Sequence, residues 1–182
     1  MTKKRVVVTG LGCVSCFGMD IEGYFNSLLN GESGVRPIES IDVSQYPTRF
    51  AAEVRDFDVG KYLDKKQARR VDPFISYGIV AGKRALEDAG FDLEDLSSLD
   101  KSRCGVLVGT GMGGMQFFTD GVKTIFDKGH KRLTPFFIPY IITNMAGAML
   151  SMQIDFRGPN YSVSTACATS NHAIGAAFNH IR

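Results

Sequence analysis

GPNYSVSTACATSNHAIGAA, residues 158–177, decides how the chain is read. Residues 160–166, NYSVSTA, predict a strand. From Cys167 onward Ala168, Ile174, Ala177, Phe178 and Ile181 predict a largely apolar helix. Cys167 falls on the strand-to-helix junction, where the first free N–H groups and the helix dipole favour a thiolate. Its neighbours Ala166, Ala168, Thr169 and Ser170 are small and leave room for a substrate carbonyl. A backbone N–H at such a turn can serve an oxyanion. The rival reading is a packed structural cysteine. The local pattern leaves both standing.

Working outward, RVVVT (5–9) and CGVLVG (104–109) are short runs apolar on both faces, the pattern of buried parallel strands. Asp20 precedes a helix whose apolar positions are Ile21, Tyr24, Phe25, Leu28 and Leu29, with Gly31 as its stop. Residues 32–60 read as irregular. DPFISYGIVAGKRALEDAG (72–90) is a complete helix signal, with Asp72 as N-cap, Pro73 at the first position and Gly90 past the end. Residues 115–128 also read as helical. PFFIPYIITNMAGAMLSMQI (135–154) reads as a loop feeding a buried helix. This order predicts an α/β fold with a parallel sheet, a β-α-β-α-β-α core with helices on both faces.

The 182 residues, 44% hydrophobic and 22% charged, suit one domain with a sizeable core. A net charge of +2 does not point to nucleic acid. Four cysteines make no disulfide framework and suggest a reducing compartment. No apolar run reaches the roughly 18 residues of a membrane span. Met1-Thr-Lys-Lys-Arg leading directly into RVVVT predicts no signal peptide.

Gly109, Gly111 and Gly114 in GTGMGG match G-x-G-x-x-G after a strand, and TGLGCVSCFG (9–18) is a second glycine-rich turn. A dinucleotide site also wants an acidic residue about 20 positions on, at the end of the next strand. Asp127 falls in DKGHKR and Glu32 in a Gly-Ser loop, so neither fits. The other reading is close backbone crossing at strand ends. Cys13 and Cys16 form a C-x-x-C without the further ligands zinc needs, and small core thiols suit them better than redox chemistry. Cys104 opens a strand and reads as structural. The three histidines are His130, His172 and His180. His172 lies five residues along the helix from Cys167, on another face, so none is a convincing base. KKQARR (65–70) is a solvated face or a dock for an acidic partner, and DKGHKR (127–132) a weaker candidate.

Together these stretches resemble one family. RVVVTGLG, LLNGESG, TRFAAEV, RRVDPFISYGIVAGKRALEDAG, GVLVGTGMGG, PFFIPYIITNMAGA and GPNYSVSTACATSN occur in the order and spacing of the N-terminal part of β-ketoacyl-[acyl-carrier-protein] synthases of the KAS I/II type. STACATSN is closer to the plant-type and related bacterial enzymes than to those with T-S-G after the cysteine. The resemblance covers the whole chain. It implies a thiolase-like fold of which residues 1–182 form an incomplete N-terminal half, in a homodimeric transferase of fatty-acid elongation. It implies no cofactor, metal, nucleic acid or membrane, and a bacterial cytoplasm or plastid stroma. Cys167 matches the acyl-accepting nucleophile, at the N-terminus of a buried helix. Met112, Phe137, Ile138 and Ile141 match the acyl-chain pocket, the last three reaching it from the dimer partner. Lys66, Arg69 and Arg70 match the patch that docks acyl carrier protein. Two histidines and a lysine of the family's machinery belong to a C-terminal half outside these residues. The expectation is therefore an inactive fragment. A carrier-docking module without chemistry and a nicotinamide-dependent oxidoreductase are the competing readings.

Overall fold

The computed structural model describes residues 4–182. Met1 to Lys3, on which the reading of the N-terminus partly rests, lie outside the described residues.

The centre of the fold is a pair of packed helices, α3 (Pro73–Asp88) and α6 (Met145–Ile154). Helix α3 begins and ends as its sequence predicts. The Asp72 carboxylate accepts the Phe74 N–H at 3.1 Å, Pro73 opens the first turn, and Gly90 follows Ala89 at φ +86°. That left-handed position is one a side chain with a Cβ rarely adopts. Ile75, Ile79 and Val80 of α3 are fully buried, against Ala146, Met149, Leu150 and Ile154 of α6. Burying a side chain of this size contributes about 1.5–3 kcal/mol. Close approach depends on Gly78 and Gly82, one helical turn apart. A Cβ on Gly78 would meet the Ala146 Cβ at 3.1 Å, and one on Gly82 would collide with Leu150.

Asp72 also joins the next helix. Its second carboxylate oxygen accepts the Phe117 N–H at 2.9 Å, tying α3 to α4 (Met115–Lys128). Asp127 stands in the last turn of α4, paired with Lys123 at 3.0 Å, rather than in the expected loop. The segment expected as a loop before a buried helix forms a short helix, α5 (Phe137–Ile141), ahead of α6. Helix α1 (Ile21–Leu29) is capped by Asp20, whose carboxylate accepts the Gly23 N–H at 2.6 Å. The four-residue α2 (Lys65–Ala68) is capped by Asp64.

The sheet is smaller than its sequence predicts. The run 104–109 narrows to β3 (Val106–Leu107), and 160–166 to β4 (Asn160–Tyr161), which pair in parallel with Val106 opposite Asn160. Three backbone bonds lead into this ladder: Arg157 N–H to Lys101 O at 2.8 Å, Gly158 N–H to Cys104 O at 2.8 Å, and Val106 N–H to Pro159 O at 2.9 Å. Residues 5–9 form no strand, and Val8 is 75% exposed. Among the described residues no third strand pairs with β3 or β4, and a run apolar on both faces is a strand only where a ladder receives it. The segment expected to be irregular instead holds an antiparallel pair, β1 (Arg36–Pro37) with β2 (Phe50–Ala51). Among the described residues no helix is long and apolar enough to cross a membrane.

Helix α7 (Thr169–Ile181) follows Cys167 and contacts β3, as α6 does. It is less buried than expected. Only Thr169 and Ala173 are buried, and Ile174 is 66% exposed. The β3–β4 ladder covers one narrow face of α7 and leaves Ile174, Phe178 and Ile181 open.

Candidate functional site

Cys167 lies in a single 3-10 turn, residues Ala166–Ala168, that runs directly into α7. The first hydrogen bond of this turn is from the Ala168 N–H to Thr165 O at 3.2 Å. The Cys167 N–H thus precedes the first bonded donor, as expected at a helix start. The thiol is exposed. Among the described residues nothing packs over it, and it stands at a helix start as expected, although the strand before it ends at Tyr161 rather than at Ala166.

The turn is sharp. Ala166 stands at φ +50°, in the left-handed region. A residue with a Cβ held there costs about 1–3 kcal/mol, so neighbouring contacts must compensate. Thr169, 4% exposed, supplies two of them. Its hydroxyl accepts the Thr165 N–H at 2.9 Å and donates to Ala166 O at 2.6 Å. His172 supplies a third, its Nδ1 lying 2.6 Å from the Thr165 hydroxyl. The sequence puts His172 on another helix face from Cys167 and predicts no role for it. Thr165 and Thr169 entered only as small neighbours and parts of a strand, because the chain's reversal at Ala166 leaves no periodic signal.

The glycine loop 109–114 packs against this turn. The Ser164 hydroxyl donates to Gly111 O at 2.9 Å, and a Cβ on Gly109 would come within 2.9 Å of Thr169 O. The Gly114 N–H donates to Ile141 O at 3.1 Å, joining the loop to α5. Close backbone crossing thus accounts for GTGMGG. Met112, at its tip, is 73% exposed. On α5, Ile138 is exposed, while Phe137 stacks between Phe117 and Phe118 with ring centroids 6.5 and 6.1 Å apart. The loop with Met112 at its tip thus joins Ser164, just before the turn, to α5 at Ile141, while Phe137 packs on its own chain's α4.

Lys66, Arg69 and Arg70 are exposed on and just after α2. Arg69 shares a cleft of about 320 Å3 with Arg132, which brings the two basic runs of the sequence together. His130 sits in the turn before Leu133, and His180 bonds the Tyr161 hydroxyl at 2.9 Å. Burial pushes the Cys13 thiol up, opposed by the charge of Arg84, which disfavours the thiolate that redox exchange needs. Among the described residues no group of three or more His, Cys, Asp or Glu side chains could hold a metal ion.

The family description "Beta-ketoacyl synthase, N-terminal domain" matches residues 3–182. The chain is 53% identical over 180 residues to 3-oxoacyl-[acyl-carrier-protein] synthase I, chloroplastic, of Arabidopsis thaliana, covering 99% of this chain and 38% of that protein. It therefore spans about two-fifths of that relative's length. A β-ketoacyl synthase from Burkholderia phymatum STM815 superposes with a TM-score of 0.81 at 27% identity, over 98% of this chain and 44% of that one. A ketosynthase structure described as a type II PKS acyl-carrier protein in complex with its ketosynthase bound to the hexaketide gives 0.79 at 28% identity, over 97% and 46%. The fold is thiolase-like.

Proposed function

Since the chain belongs to the β-ketoacyl synthase family through that family's N-terminal domain, we propose that it carries the acyl-accepting cysteine of a 3-oxoacyl-[acyl-carrier-protein] synthase. The observation that carries this reading is the exposed Cys167 on a strained turn at the start of α7. An unhindered thiol beside unbonded backbone donors suits attack on a thioester carbonyl. The Cys167 sulfur bonds the acyl carbon, the oxyanion is received by the Cys167 N–H, and the carrier's thiol leaves with a proton. Malonyl-carrier protein then loses CO₂, and the resulting carbanion attacks the Cys167 thioester. The 3-oxoacyl group departs two carbons longer, and the cysteine thiolate is regenerated.

Met112, at the tip of the loop that packs on the turn, is proposed to border the acyl chain, with Phe137, Ile138 and Ile141 contributed across a homodimer. The exposed cations Lys66, Arg69 and Arg70 are proposed to dock the acidic carrier. A structurally similar ketosynthase is described in complex with an acyl-carrier protein, which supports this partner. The name of the Arabidopsis relative supports a plastid stroma, and a bacterial cytoplasm fits the same chemistry.

The test is to supply the full-length protein with carrier protein labelled in its acyl group. The label should reach the peptide holding Cys167. Label on any other residue, or on none, overturns the assignment. Replacing Lys66, Arg69 and Arg70 together by Glu should raise KM for acyl-carrier protein on the order of 10²-fold or more, since like-charge juxtaposition at a docking surface costs several kcal/mol. The rate of Cys167 alkylation by a small neutral reagent should not change. An unaltered KM would remove the patch from the proposal.

A further inference from the structure

The conformation at Ala166 has to be held, and two α7 side chains reach back over it. Thr169 is buried and bonds backbone on both sides of the turn. His172 differs. It is exposed, it bonds a side chain rather than backbone, and its partner Thr165 is the last residue before the left-handed one. That bond closes a loop of chain with Cys167 inside it.

We propose that His172 is a positioning residue, which through Thr165 holds the strained turn presenting Cys167 and so sets the rate at which the thiol reacts. This rests on reading Cys167 as the acyl acceptor. No proton transfer to or from the thiol is involved. Nδ1 can accept from the Thr165 hydroxyl or donate to it, so either ring tautomer, and the charged ring, keeps the bond. Without it the Thr165 side chain is untied, only its backbone N–H and carbonyl stay bonded, to the Thr169 hydroxyl and the Ala168 N–H, and the turn can relax from Ala166's costly conformation.

The test uses the full-length protein and the rate of Cys167 alkylation by iodoacetamide, read by peptide mass. His172→Ala and Thr165→Val should each slow alkylation roughly tenfold, the weight of one well-placed hydrogen bond. His172→Asn puts a polar atom where Nδ1 was, one bond from Cγ. It should recover to within about threefold of the parent rate. His172→Gln sets its polar atoms one bond further out and should remain slow. The double variant His172→Ala with Thr165→Val should be no slower than either single one, as expected of two halves of one interaction. An unchanged rate in His172→Ala, failure of Asn to rescue, or additive losses would overturn the proposal. Should His172→Ala fail to fold, Thr165→Ser against Thr165→Val carries the same contrast, with the serine variant fast and the valine variant slow. Alkylation needs no carrier protein. An unlabelled Cys167 in the acyl-transfer assay with this pattern intact would sink the condensing reading alone, and the opposite result would sink the positioning role alone.

Discussion

Cys167→Ala in the full-length protein is expected to abolish chain elongation, by on the order of 10³-fold or more, while leaving stability within about 0.5 kcal/mol of the parent. The two halves of this expectation come from different observations. Cys167 is exposed, so removing its sulfur opens no cavity in the core. Alanine also fits the 3-10 turn that Ala166 and Ala168 already occupy on either side. The backbone oxyanion donor is therefore kept and only the nucleophile is lost. With no sulfur to hold the acyl group, the two-step transfer has no intermediate. Elongation rates and thermal midpoints measured on the same preparation separate the outcomes. More than about a tenth of parental elongation would take Cys167 out of the mechanism. A collapse of the thermal midpoint would show a structural role instead.

Where the sequence carried strong local chemistry, it matched the structure closely. Asp72, Pro73 and Gly90 mark both ends of α3, and Asp20 marks the start of α1. Capping is decided by a few adjacent residues, so it survives without knowledge of the rest of the fold. Strands depend on partners far along the chain. RVVVT has the composition of a buried strand, yet Val7 and Val8 stand exposed and Val6 is half-buried. The paired residues 36–37 and 50–51 had no signal above their Gly, Pro and Ser surroundings.

The site shows the same division. Placement of Cys167 at a helix start was legible from small residues between two apolar runs. The surrounding clamp was not. Five residues along an ideal helix do put His172 on another face from Cys167, and that inference was sound. It missed that the chain before Cys167 folds back, so that Thr165 meets His172 instead. Likewise Gly109 and Gly114 look like a phosphate loop until Thr169 and Ile141 are seen against them. A glycine needed for backbone crossing and one needed for a ligand look alike in sequence.

Ile79→Ala should be among the most damaging core substitutions, costing about 3 kcal/mol and lowering the thermal midpoint by roughly 10 °C. Ile79 has no exposed surface and lies in the cluster that α3 and α6 share. Three atoms are lost from a site with little room to collapse, since Gly78 and Gly82 already bring the two helices close together. The loss is a large part of a net stability of about 5–15 kcal/mol. The consequence reaches the cysteine by a defined route. On α6, Gly147 packs against Val108 and Val106, and β3 pairs with the strand that leads to Thr165 and Cys167. Well below the transition that route stays intact, so Cys167 alkylation should match the parent. Approaching the transition, alkylation of Cys104, which is part-buried beside the ladder, should rise sharply as the ladder opens. Ile79→Val, one methyl group smaller, should lose about 1 kcal/mol and show the same sequence of events at a higher temperature. If Ile79→Ala instead kept its thermal midpoint and slowed Cys167 at 25 °C, α3 would be acting on the site directly and not through the core.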